Sequence, residues 1–91
     1  MAFFVVSYDL HKSRDYEGII TALTGHSGVR LLESFWLISL NNTASQVRDW
    51  LKAQVDSDDS LAVIELKAGS DWAGLRTKED GITWLRQNIK A

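Results

Sequence analysis

The stretch that decides the fold is Val29-Arg30-Leu31-Leu32-Glu33-Ser34-Phe35-Trp36-Leu37-Ile38-Ser39-Leu40. Two apolar, strand-like runs lie on either side of the polar pair Glu33-Ser34. The pattern predicts two antiparallel strands joined by a tight turn, or one long bent strand. Upstream, Ser13 can cap a helix in which Tyr16, Ile19, Ile20 and Leu23 form one apolar stripe, with Gly25 as its stop. Before that, Phe3 to Tyr8 is a continuous β-branched and aromatic run, as expected of a central strand. Downstream, Asn41-Asn42 breaks the chain, and Thr43 with Gln46 has capping-box spacing. The helix that follows should bury Val47, Trp50, Leu51 and Val55 and expose Arg48, Asp49 and Lys52. Asp56 to Ser60 reads as a turn and Leu61 to Leu66 as a last strand.

The order is β-α-β-β-α-β, which predicts an α+β, ferredoxin-like antiparallel sheet with two helices on one face. Residues 68–91 form a C-terminal extension of loop and helix within a single domain spanning 1–91. Thr77 with Asp80 suggests the helix start, and Ile82, Leu85 and Ile89, with Trp84 nearby, mark its apolar side. Strand one is apolar on both parities, through Phe3, Phe4, Val5 and Val6. The second sheet face therefore needs a cover, which predicts a homodimer. The terminal helix has enough apolar surface to be that cover itself.

Composition narrows the chemistry. The chain has 91 residues and a mass of 10.2 kDa, is 45% hydrophobic and 24% charged, and carries a net charge of −2 with a pI near 5.5. Such a chain is expected to form one core and is not a broadly cationic nucleic-acid binder, although a local basic patch is compatible with it. There is no Cys, so disulfides, thiolate metal sites and cysteine nucleophiles are excluded, and any metal must be held through oxygen. The apolar run Met1 to Val6 is broken by Ser7, Tyr8 and Asp9, too soon for a signal peptide or membrane span. The expectation is a cytoplasmic protein with no membrane partner.

Three segments carry a resemblance: Phe4-Val5-Val6-Ser7-Tyr8-Asp9-Leu10; Arg30 with Ser34 four residues later and Phe35 next; and Asp59-Ser60-Leu61-Ala62-Val63-Ile64-Glu65-Leu66. Together they resemble the small CRISPR-associated subunit of spacer acquisition, the Cas-two family, and its VapD-type toxin ribonuclease relatives. The resemblance implies a homodimer that binds or cleaves RNA or DNA in a defence, toxin–antitoxin or mobile-element setting. It also implies that Asp9, at the end of strand one, is the metal ligand, with two copies approaching across the dimer. Mg²⁺ or Mn²⁺ would suit one carboxylate per subunit completed by water and phosphate oxygens. Asp9 would then be the catalytic residue of a metal-dependent phosphodiesterase. Its plainer role is to turn the chain between strand and helix.

Around Asp9, Tyr8, Ser7 and Ser34 can orient water or phosphate, or else bond to nearby backbone. Lys12 and Arg14, with His11, form a positive cluster suited to phosphate contact or simply to solvent. Arg30 can bind phosphate or pair with Glu33 or a partner's carboxylate. His26 is a general base only if the fold brings it near Asp9, and Trp72 is the tryptophan placed to be an exposed contact. The competing function is a non-catalytic, antitoxin-like dimer that holds a protein partner, which the acidic balance favours. A small-molecule regulatory dimer is a third class that such a fold allows.

Overall fold

The computed structural model describes residues 1–10 and 16–89. The elements are β1 (Ala2–Asp9), α1 (Glu17–Gly25), β2 (Val29–Leu32), β3 (Phe35–Leu40), α2 (Ala44–Lys52), β4 (Ser60–Leu66) and α3 (Glu79–Asn88). The four strands form one antiparallel sheet in the order β2-β3-β1-β4. The segment around Glu33-Ser34 is thus a hairpin rather than a bent strand, and β1 is central.

Alternation along β1 divides the core in two. Phe4, Val6 and Tyr8 face α1 and α2 and pack with Ile19, Leu23, Trp36, Ile38, Val47 and Leu51. Phe3 and Val5 point to the opposite face, where Leu31, Leu37, Trp84, Leu85 and Ile89 form a second cluster under α3. Each fully buried aliphatic or aromatic side chain contributes about 1.5–3 kcal/mol, so both faces stabilise the sheet. The apolar surface that predicts a subunit contact is therefore covered by α3 of the same chain, over its β2–β3 half.

The cap of α2 forms as its spacing requires. The Thr43 Oγ1 accepts from the Gln46 N–H at 3.2 Å, and the Gln46 Oε1 accepts from the Thr43 N–H at 2.9 Å. The other helix boundaries differ from expectation. Ser13 lies outside the described residues, and α1 follows Tyr16, which makes no side-chain cap. The left-handed residue beyond α1 is Ser27, with φ 62°, not Gly25. Gly28 then brings its N–H to 2.8 Å from the Leu23 carbonyl, in a space that a Cβ would fill.

Thr77 does not cap α3. Lys78 is the N-cap, and its N–H donates to the Leu31 carbonyl at 3.0 Å, so docking onto β2 sets the helix start. A Cβ at Gly81 would lie 2.6 Å from both the Arg30 carbonyl oxygen and the Leu31 Cα. Glycine is what allows α3 to approach β2 so closely. Trp72 is half-buried rather than an exposed contact, and its Nε1–H donates to the Ile89 carbonyl at 2.7 Å, tying the loop before α3 to the end of that helix. No helix among the described residues is long and apolar enough to cross a membrane.

Candidate functional site

A cluster of polar and aromatic groups forms where β2, β3 and β1 meet α1. A register shift between Arg30 and Leu32 sets Arg30 opposite Trp36. Without this bulge, the pairing of Leu32 with Phe35 would place Arg30 opposite Leu37, on the α3 face. With it, the Arg30 guanidinium lies 5.0 Å from the centroid of the Trp36 ring. A cation so placed over indole gains about 0.5–2 kcal/mol and is held in a narrow range of positions.

Trp36 is itself fixed. It is buried, and its Nε1–H donates to the Tyr8 hydroxyl at 3.0 Å. Burial pushes the Tyr8 phenol above its ordinary value, against the opposing effects of the Trp36 hydrogen bond and the Arg30 charge, so Tyr8 stays a neutral phenol. The more exposed Tyr16 ring stands 6.0 Å from that of Tyr8, inclined by 43°. Tyr8, Tyr16, Ile20, Arg30, Glu33 and Ser34 line one cavity of about 210 Å³. Arg30 and Ile20 also form the wall of a larger cleft of about 480 Å³ that extends past Trp36 to Lys78. Glu33 lies between the two cations, 3.8 Å from Arg30 and 3.1 Å from Lys78.

Three of the residues singled out from the sequence, Tyr8, Arg30 and Ser34, therefore line the same cavity. Asp9 does not join them. It is exposed at the end of β1 beside Ser60 of β4, and alternation along β1 directs it to the sheet face opposite Tyr8. No group of three or more His, Asp or Glu side chains suited to a metal occurs among the described residues. Lys12, Arg14 and His11 lie outside those residues. His26 packs edge-on against Trp50, with ring centroids 4.9 Å apart, and lines a cavity with Leu40. Leu40 pairs with Ala2, so His26 sits near the end of β1 opposite Asp9, roughly 20 Å away along the strand, and is no base for it.

Trp36 as the platform for Arg30, Tyr16 at the mouth of the cavity, and Lys78 are not among the site residues that the sequence singles out. The signal for Trp36 was the register of the hairpin, which a one-residue bulge hides. A cationic plane over an aromatic ring, flanked by hydroxyls and an exposed tyrosine, is suited to a phosphate beside a stackable base. The chain matches no known protein-family model.

Proposed function

We propose that this chain is a nucleic-acid-binding protein of Cas-two-like, ferredoxin-like architecture, which takes a phosphodiester of RNA or DNA at Arg30. The architectural part is supported by the strand order β4-β1-β3-β2, read from the β4 edge, with α1 and α2 packed on one face. The functional part rests on one observation: Arg30 is held over Trp36 in a cavity that also contains Tyr8, Tyr16 and Ser34. Arg30 supplies a fork of donors to phosphate oxygens, Ser34 a hydroxyl, and Tyr16 a ring for a neighbouring base. With a net charge of −2, binding depends on this local site rather than on a broad basic surface.

The test is fluorescence anisotropy of labelled single-stranded RNA and double-stranded DNA against salt, with wild type and Arg30→Gln. Affinity should fall with rising salt, and Arg30→Gln should both weaken binding and reduce the magnitude of the salt slope by about one. The same substrates incubated with Mg²⁺ or Mn²⁺ test the catalytic extension. Cleavage that disappears in Asp9→Ala and with chelator would add a metal-dependent phosphodiesterase to the binding function. Absence of binding even at low salt would overturn the proposal and leave the protein-interaction dimer as the better reading.

A further inference from the structure

Arg30 and Ile20 line both cavities of the site, so the guanidinium held on Trp36 divides two spaces of unlike chemistry. On one side stand the rings of Tyr8 and Tyr16 and the Ser34 hydroxyl. On the other, the cleft of about 480 Å³ runs past Thr24 and Gly28 to the first turn of α3, where Glu79 and Asp80 complete its wall. That turn is fixed close to Arg30, because Gly81 rests on the Arg30 carbonyl and the Lys78 N–H is bonded to the Leu31 carbonyl. Glu33 is engaged by Arg30 and Lys78, whereas Glu79 and Asp80 form no ion pair or side-chain hydrogen bond with the other described residues. Both suit the positive end of the α3 dipole, a role that leaves their carboxylate oxygens able to accept.

These carboxylates decide which part of a nucleotide can enter. A second phosphate would meet like charge at Glu79 and Asp80, so the phosphate stays at Arg30 and a neutral, donor-rich group must occupy the far end. Guanine is the base that sets two adjacent donors, N1–H and the N2 amine, against one carboxylate. Adenine and cytosine place an acceptor nitrogen beside their single amine, and uracil and thymine flank N3–H with two carbonyl oxygens that a carboxylate repels. In a duplex the guanine edge is already paired to cytosine.

We infer, resting on the phosphate site proposed at Arg30, that this cleft selects an unpaired guanine joined to that phosphate, with Glu79 and Asp80 as its specificity-determining residues. The base on the opposite side of the phosphate meets Tyr16, whose ring stacks on any base, so selection is confined to one of the two positions.

The test is competition anisotropy at low salt, in which a labelled uridine oligomer is displaced by unlabelled ones that carry a single central guanosine, inosine or adenosine. The guanosine oligomer should bind about tenfold more tightly than the all-uridine one, and inosine, which keeps N1–H but lacks the N2 amine, should fall between them. The same guanosine paired in a hairpin stem should lose its advantage. Glu79→Ala combined with Asp80→Ala, both at exposed positions, should bring the guanosine-to-uridine ratio below about twofold with the far-ultraviolet circular dichroism unchanged, whereas Arg30→Gln should weaken every oligomer. Equal affinity for all oligomers, with the dependence on salt and Arg30 intact, would overturn the guanine assignment and leave the phosphate site standing. A guanosine preference that survives the double alanine variant would overturn the role of Glu79 and Asp80. If no oligomer binds at low salt, the phosphate site itself is absent and the guanine assignment falls with it.

Discussion

The two edges of the sheet are built on different terms. At β2, the chain entering α3 lies directly against the strand: Lys78 bonds to the Leu31 carbonyl, and Gly81 lets the helix backbone rest on Arg30 and Leu31. At β4 nothing among the described residues takes that place, and Ile64 is exposed beside a row of outward backbone groups. A sheet edge exposes unsatisfied donors and acceptors, and the fold shields one edge from within the chain. The shielded edge carries Arg30 on Trp36, while the open one leaves Ile64 exposed.

The largest test of this contrast is Trp84→Ala. Trp84 is buried and meets Phe3 edge-to-face at 5.6 Å, so its loss should lower unfolding free energy by about 3–5 kcal/mol in urea titration. At the open edge, Ile64→Ala should stay within about 0.5 kcal/mol. Equal effects would break the comparison. Gly81→Ala is a finer probe. Its Cβ would meet backbone rather than a flexible side chain, so α3 must move off β2, at a net cost of about 1–3 kcal/mol despite alanine's better helix propensity. The same variant should weaken the Arg30-dependent salt slope, because the Arg30 carbonyl is one of the atoms displaced.

The elements themselves were legible in the sequence because their signals are local. The Thr43–Gln46 capping box, the polar pair at Glu33-Ser34 and the doubly apolar β1 each act within a few residues, and each appears where read. The start of α3 departs from the local spacing because a long-range bond from Lys78 to Leu31 outweighs the local cap at Thr77. Covering the second face by α3 was visible as an option but not as the outcome, since an apolar helix stripe does not specify which copy of the sheet it meets. The site was legible only in parts. Tyr8, Arg30 and Ser34 could be singled out individually, but what unites them is a one-residue bulge in β2 that turns Arg30 toward Trp36 and away from the α3 face. A bulge adds no distinctive residue type, so spacing alone assigns Arg30 to the wrong side.

The smallest expected effect falls on the shielded edge and separates stability from binding there. Glu33 is 82% exposed in its side chain and stands between Arg30 and Lys78. Exposed ion pairs are screened by solvent and salt, so Glu33→Gln should change unfolding free energy by no more than about 0.5 kcal/mol. For a polyanion the same substitution acts in the opposite sense. It removes a carboxylate that competes with phosphate for both cations, and affinity should rise roughly twofold to fivefold at low salt, with the gain shrinking as salt increases. Anisotropy titrations of Glu33→Gln beside Arg30→Gln read this directly. Opposite changes from the two variants would locate the anion at the Arg30 end of the cleft, whereas a loss of affinity in both would mean that Glu33 is needed to orient Arg30 rather than to restrain it.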